Sequence, residues 1–204
     1  MNKKFSNSRS GDDEQNGVSL IIVMIVLTVV SLLGIAGIQI SSLGEKSARN
    51  DRDSQIAWQS AEAALLDAEF DIRASTSTRS AIFSSENIDT SVFEEGCGAT
   101  GDSRGLCAAR EVGQPAWLTV DFNDISAQSR TVSYGQFTNR TFKAGAVGAQ
   151  PSRVPRYVIE LVEDTAAGGD CANSSKKCFA YRVTAMGFGL RPEIQAVVQG
   201  LIRR

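Results

Sequence analysis

The first strong pattern in the chain is a long stretch without charge. No charged residue falls between Glu14 and Glu45, and Val18 to Leu43 reads VSLIIVMIVLTVVSLLGIAGIQISSL. At about 1.5 Å per residue, the Val18–Ile38 stretch makes a helix about 30 Å long, enough to cross the apolar core of a bilayer. A cleaved secretory signal has a shorter apolar core and a small-residue cut site after it, so cleavage at the far end of this run is disfavoured. Past Glu45 the helix is expected to continue. Proline is absent from Glu45–Arg73, and Ile56, Ala57, Ala61, Ala64, Leu65, Ala68 and Ile72 recur at three and four, the spacing of one helical face. One helix from Val18 to Arg73 follows, with a membrane half and an amphipathic half.

Ala57, Ala61, Ala64 and Ala68 form a narrow seam on the second half. Either the chain's own sheet or a neighbouring subunit can approach such a seam closely, and both remain open at the level of sequence. Trp58 lies off it and is expected as rim packing or as a partner anchor. Gly34 and Gly37 mark a place where the helix can soften, since glycine costs about 1 kcal/mol against alanine in a helix.

Ser and Thr dominate Ala74–Arg79, ending the helix, and an irregular connector is expected to about Gln114. Strand patterns follow at Trp117–Phe122, Thr131–Phe142, Tyr157–Val162, Phe179–Phe188 and Ile194–Ile202. Tyr157, Ile159 and Leu161 alternate, as do Phe179, Tyr181, Val183 and Ala185, the period of half-buried antiparallel strands. The fold class is therefore α+β: a long N-terminal membrane-spanning helix packed on an antiparallel sheet.

Composition narrows the chemistry. With 204 residues and 42% hydrophobic positions the chain supports one core plus an added element. A net charge of −2 from 21 basic and 23 acidic residues offers no field for a nucleic-acid backbone. Histidine is absent, which removes the usual general base and zinc ligand. No nucleotide-binding glycine loop or nucleophile elbow occurs, so no enzyme activity, catalytic residue, cofactor or metal site is expected. Asp121, Asn123 and Asp124 lack the spacing of a calcium loop and are expected to be solvated.

The four cysteines, Cys97, Cys107, Cys171 and Cys178, lie in polar loops C-terminal to the apolar run. An even count there points to disulfides in an oxidising compartment. Three pairings are open, and Cys97–Cys107 with Cys171–Cys178 is the expected one because each closes a short loop. Lys3, Lys4 and Arg9 on one side of the span balance Lys46, Arg49 and Arg52 on the other, so loop charge does not orient it. The short N-terminus and the cysteines favour N-in, C-out.

Gly17-Val18-Ser19-Leu20-Ile21, after a hydrophilic leader with Lys3 and Lys4 and before the apolar helix, resembles the cleavage region of type IV prepilins. Gln55-Ile56-Ala57-Trp58-Gln59-Ser60-Ala61-Glu62-Ala63-Ala64-Leu65 is similar to the "FQAAEAAL" segment of PilX-type minor pilins. Tyr181-Arg182-Val183-Thr184-Ala185-Met186-Gly187-Phe188-Gly189 is similar to that group's "YRVTARGFG", and Gly105-Leu106-Cys107 to its "GLC". The likeness is good over residues 17–73, moderate over 156–200 and faint between.

The resemblance implies a pilin-like fold and a prepilin peptidase cut between Gly17 and Val18, with N-methylation of Val18. It implies a leader at 1–17, a transmembrane half-helix at 18–44 and an amphipathic half at 45–73. An αβ-loop with the first disulfide is then expected at 74–116, and the sheet with a disulfide hairpin loop at 117–204. Acidic Asp12, Asp13 and Glu14 depart from a basic leader. Most prepilins also carry Glu as the fifth mature residue, where this chain has Ile22. A carboxylate in the bilayer is costly unless paired, and a subunit with nothing beyond it has no partner for one. The resemblance therefore implies a tip or priming minor pilin of the type IV pilus supporting pilus biogenesis, twitching motility and surface adhesion.

Its implied partners are the prepilin peptidase, other minor pilins, the major pilin and a tip adhesin. Its implied location is the bacterial inner membrane with a periplasmic domain, then the pilus. The Cys97–Cys107 loop and the Asp164–Lys177 loop are the expected contact surfaces. The alternatives are a K-type pseudopilin of type II secretion, which also lacks the Glu, and a signal-anchored periplasmic binding protein.

Overall fold

The computed structural model describes residues 18–83, 88–110, 112–145, 147–164 and 178–203, with Val18 described by its backbone alone. The chain divides into two units, residues 1–49 and 50–204. Helix α1 runs without a break over Val18–Arg73, as its uninterrupted helical pattern dictates. Gly34 and Gly37 both lie inside it with open space around them.

In the first unit, α1 carries the apolar run. Its large side chains are well exposed, from 50% at Val23 and Val29 to 73% at Ile38. It is a helix long and apolar enough to cross a membrane.

In the second unit, the remainder of α1 packs on a five-stranded sheet. The strands are β1 (Leu106–Ala108), β2 (Val132–Ser133), β3 (Arg156–Glu163), β4 (Phe179–Phe188) and β5 (Gln195–Ile202). Their order is β1-β3-β4-β5, with β2 also against β3. β2–β3, β3–β4 and β4–β5 are antiparallel. The sheet is nevertheless mixed, because β1 runs parallel to β3 with Cys107 opposite Glu160. A parallel neighbour cannot be joined by a tight turn, and a strand of three residues leaves almost no period to read.

β4 occupies the whole of its expected range, and β3 and β5 are displaced by one residue at one or both ends. Two expected strands are corrected. Trp117–Phe122 begins in a 3₁₀ turn, Ala116–Leu118. There Thr119 Oγ1 donates to Ala116 O at 2.7 Å and Asn123 N to Asp121 Oδ1 at 2.8 Å, local bonds that compete with a ladder. Thr131–Phe142 keeps only β2, since the chain then turns, with Asn139 N donating to Gly135 O and both residues at positive φ. β1 also places a strand, with short 3₁₀ turns, inside the segment expected to be an irregular loop.

The core lies between α1 and one face of the sheet. Ala57, Ala61, Ala64, Ala68 and Ile72 are fully buried, and the last four join Tyr157, Ile159, Tyr181, Val183 and Ala185 in one cluster. The alanine seam is therefore filled by the chain's own sheet. Its closest approach is at Gly187, where an added Cβ would stand 2.2 Å from Ala57 O and Ala61 N. Only glycine permits that contact. A smaller cluster of Cys97, Cys107, Ala116, Phe122 and Val158 covers part of the opposite face.

Candidate functional site

Three acids interrupt the buried stripe of α1, and each holds a different part of the second unit. Asp53 pairs with Arg191 Nε at 3.3 Å. Asp67 accepts from Gly135 N at 2.7 Å and Thr138 Oγ1 at 2.6 Å, with Arg140 at 3.6 Å. Burial pushes its carboxyl above the ordinary 3.8, and these donors and Arg140 only partly offset that. Arg140 also stacks over Phe70, 4.4 Å from the ring centroid.

Asp71 sits at the centre of the largest network. It accepts from Ser77 Oγ at 2.7 Å, from Arg79 Nε at 3.0 and 3.2 Å, and from Tyr157 OH at 2.9 Å. Both side chains of the Asp71–Arg79 pair are fully buried. Arg79 Nη1 continues to Asp102 O at 2.9 Å and Arg104 O at 2.7 Å, and its guanidinium lies 3.8 Å from the centroid of Phe137. A lone buried charge would be prohibitive, whereas this one has a counter-ion and hydrogen bonds to carbonyls. Burial and Asp71 hold the Tyr157 hydroxyl well above its ordinary range.

That network reaches the first candidate contact surface from below. Cys97 and Cys107 form a disulfide, and both are buried. The loop between them turns at Gly98, whose added Cβ would meet Ser103 O at 2.3 Å. Thr100, Gly101 and Asp102 are exposed at its tip. A disulfide base and an arginine pulling on two tip-flank carbonyls make this a fixed projection. Cys178 is disulfide-bonded as well. Cys171, its expected partner, lies outside the described residues, as do residues 165–177 of the second expected contact loop.

On the far face of the sheet, Glu160 is buried and accepts from Arg182 Nε at 2.8 Å and Ala116 N at 3.0 Å. This ties the 116–122 segment to β3. Asp121 and Asp124 cap their own turns through Asn123 N and Ser126 N. The hydrogen bonds from Ser126 hold the Asp124 carboxyl below its ordinary value. Among the described residues no group of three or more histidine, cysteine or acidic side chains is placed to hold a metal ion. Trp58 lies outside the buried core. It is 52% exposed and donates from Nε1 to Glu62 one turn on.

Of the residues expected from sequence, Val18 and Ile22 lie in the first turns of α1, with Ile22 exposed, and Gly17 lies outside the described residues. The buried acids and Arg79 were missed. A sequence signal for the acids exists, because Asp67 and Asp71 stand one turn apart on the face that carries Ala64 and Ala68. Acids on an apolar stripe demand buried partners.

The family model for the C-terminal part of the type IV pilus assembly protein PilX matches residues 103–204, half of the chain. The chain belongs to the PilX family. The PilX N-terminal model matches residues 16–66 as well, so the apolar helix and the sheet both carry the family pattern. The chain is thereby a type IV pilus minor pilin, a structural subunit that interacts with other pilus components, and its apolar helix fits a membrane-anchored pilus protein. No curated protein and no solved structure matches it.

Proposed function

We propose that this PilX-family subunit is cut between Gly17 and Val18 by a prepilin peptidase, methylated at Val18, and installed at or near the filament tip. Before assembly it spans the bacterial inner membrane once, with the disulfide-bearing domain in the periplasm. It primes assembly with other minor pilins and the major pilin, and the tip so formed supports surface attachment and twitching motility, alone or with a tip adhesin. Its work is assembly rather than catalysis.

The observation that carries this reading is Ile22. The fifth residue after the cut is apolar, on a helix with no acid from Val18 to Gly44, so the subunit has nothing to offer the terminal amine of a neighbour. An apolar residue there inserts in the bilayer without the cost of a carboxylate, which suits a subunit that needs no partner beyond it. The exposed Thr100–Asp102 tip, fixed by Cys97–Cys107 and Arg79, is the surface best suited to a partner contact.

Intact-mass and peptide mass spectrometry of the mature N-terminus, with and without the peptidase, tests the first step. The expected product begins at methylated Val18 and disappears when the peptidase is deleted. An uncut Met1 overturns the reading in favour of a signal-anchored periplasmic protein, and a cut beyond Leu43, which removes the apolar helix, overturns it in favour of a released one.

A further inference from the structure

The buried charges of the second unit follow one rule and break it once. Among the described residues, Asp53 is paired with Arg191, Asp67 with Arg140, Asp71 with Arg79 and Glu160 with Arg182. Arg156 is buried as well, only 7% exposed, and none of the described carboxylates pairs with it. A buried guanidinium without a counter-ion is costly.

Arg156 opens β3 and shares with Val158 the sheet face away from α1. Its Nε donates to Thr131 Oγ1 at 2.6 Å, and its Nη2 to Ser129 Oγ and Thr131 O, both at 2.9 Å. All three acceptors are neutral, and Nη1 has no partner among the described residues. Arg104 reaches the same segment from the disulfide loop, with Nη2 on Ala127 O. Arg130 belongs to the segment, is exposed, and gives Nη1 to Gly96 O at 3.0 Å. Three guanidiniums therefore gather about residues 127–131, each held by uncharged groups. Asp124 is the acid whose charge reaches Arg156, and its carboxylate is committed to Ser126. Burial and the like charge of Arg104 hold the Arg156 guanidinium below its ordinary value, and Asp124 offsets only part of that.

We propose that Arg104, Arg130 and Arg156 form an oxyanion site on the far face of the sheet, taking one carboxylate, sulfate or phosphate group. An anion there supplies the counter-charge that the fold withholds from Arg156 alone among its buried charges. The guanidinium edge matches a pair of oxygens on one such group, so chloride gains less. The neutral hydrogen bonds to Ser129, Thr131 and Ala127 hold the arginines in place before the ligand arrives. The site takes a single group rather than a polyanion, because a chain of net charge −2 has no extended basic field. Free phosphate or sulfate and the carboxylate of another protein carry this chemistry, and the two differ in the test.

The test is equilibrium dialysis of the full-length chain in detergent against radiolabelled phosphate, sulfate and acetate, each at constant ionic strength in sodium chloride. Saturable binding of one equivalent is expected. Arg104→Gln and Arg156→Lys should each weaken it about tenfold, the loss of one hydrogen bond to a charged group. Arg73→Gln, on α1 across the sheet, should leave it unchanged. Circular dichroism reports whether each variant is folded, and Arg104→Gln and Arg130→Gln, at positions that are not buried, read the site even where Arg156→Lys fails to fold. Binding of acetate as tight as that of phosphate assigns the site to a carboxylate, and preference for phosphate and sulfate assigns it to a tetrahedral anion. No saturable binding of any of the three, or binding that folded Arg104→Gln and Arg130→Gln leave unchanged, overturns the site.

Discussion

At the scale of single residues, Gly187 decides how close the helix and sheet can come. Its Cα faces the backbone of α1 at Ala57–Ala61, and any side chain would collide with main-chain atoms that cannot move alone. Gly187→Ala is expected to destabilise the domain by about 3 kcal/mol, the upper part of the usual overpacking range. Gly34→Ala, with open space around it, should change little. Thermal unfolding followed by circular dichroism in detergent checks both, and an unchanged midpoint for Gly187→Ala would refute the close-contact account. The need for small residues on the helix was legible in the alanine spacing. The matching glycine was not, because Gly187 acquires its role only when β4 crosses α1.

At the scale of elements, the helix end, the 77–79 turn, β3 and the disulfide loop meet at Asp71 and Arg79. Arg79 spans all four, since its partners are Asp71 and the carbonyls of Asp102 and Arg104, with Tyr157 joined through Asp71. Arg79→Met should cost about 3–5 kcal/mol, because it leaves the Asp71 carboxylate buried without its counter-ion. Asp71→Leu combined with Arg79→Met should recover part of that loss. Urea unfolding of the single and double variants measures it, and equal midpoints would sink the idea that the stranded charge is the cost. β1 shows why part of the sheet escaped the sequence. Its three residues are held by a parallel pairing to a strand far along the chain, which no local period encodes.

At the scale of the whole molecule, stability should respond to pH from both sides. Asp67 has its folded value raised above 3.8 by burial, so its charged form weighs against folding at neutral pH. That cost is relieved as pH falls through the folded value and is gone below 3.8. Asp124 has the opposite sign: lowered in the folded chain, it contributes above 3.8 and loses that contribution only as pH falls through its lower folded value. Tyr157, raised well above 10.0, makes stability fall as pH climbs past 10.0, where the unfolded tyrosine ionises. Asp67→Asn should therefore flatten the melting temperature between pH 7 and about 4, and curves identical to the parent would contradict the assignment. By itself the sequence determined the 56-residue helix, the strands β3, β4 and β5, and the pilin resemblance, because periods of 3.6 and 2 and a contiguous apolar run are local properties. Only the tertiary structure decided the parallel β1, the turns that replaced two expected strands, the occupant of the alanine seam and the partners of the buried acids. Each of these rests on contacts between residues far apart in the chain, and a local pattern carries no record of which distant groups will satisfy it.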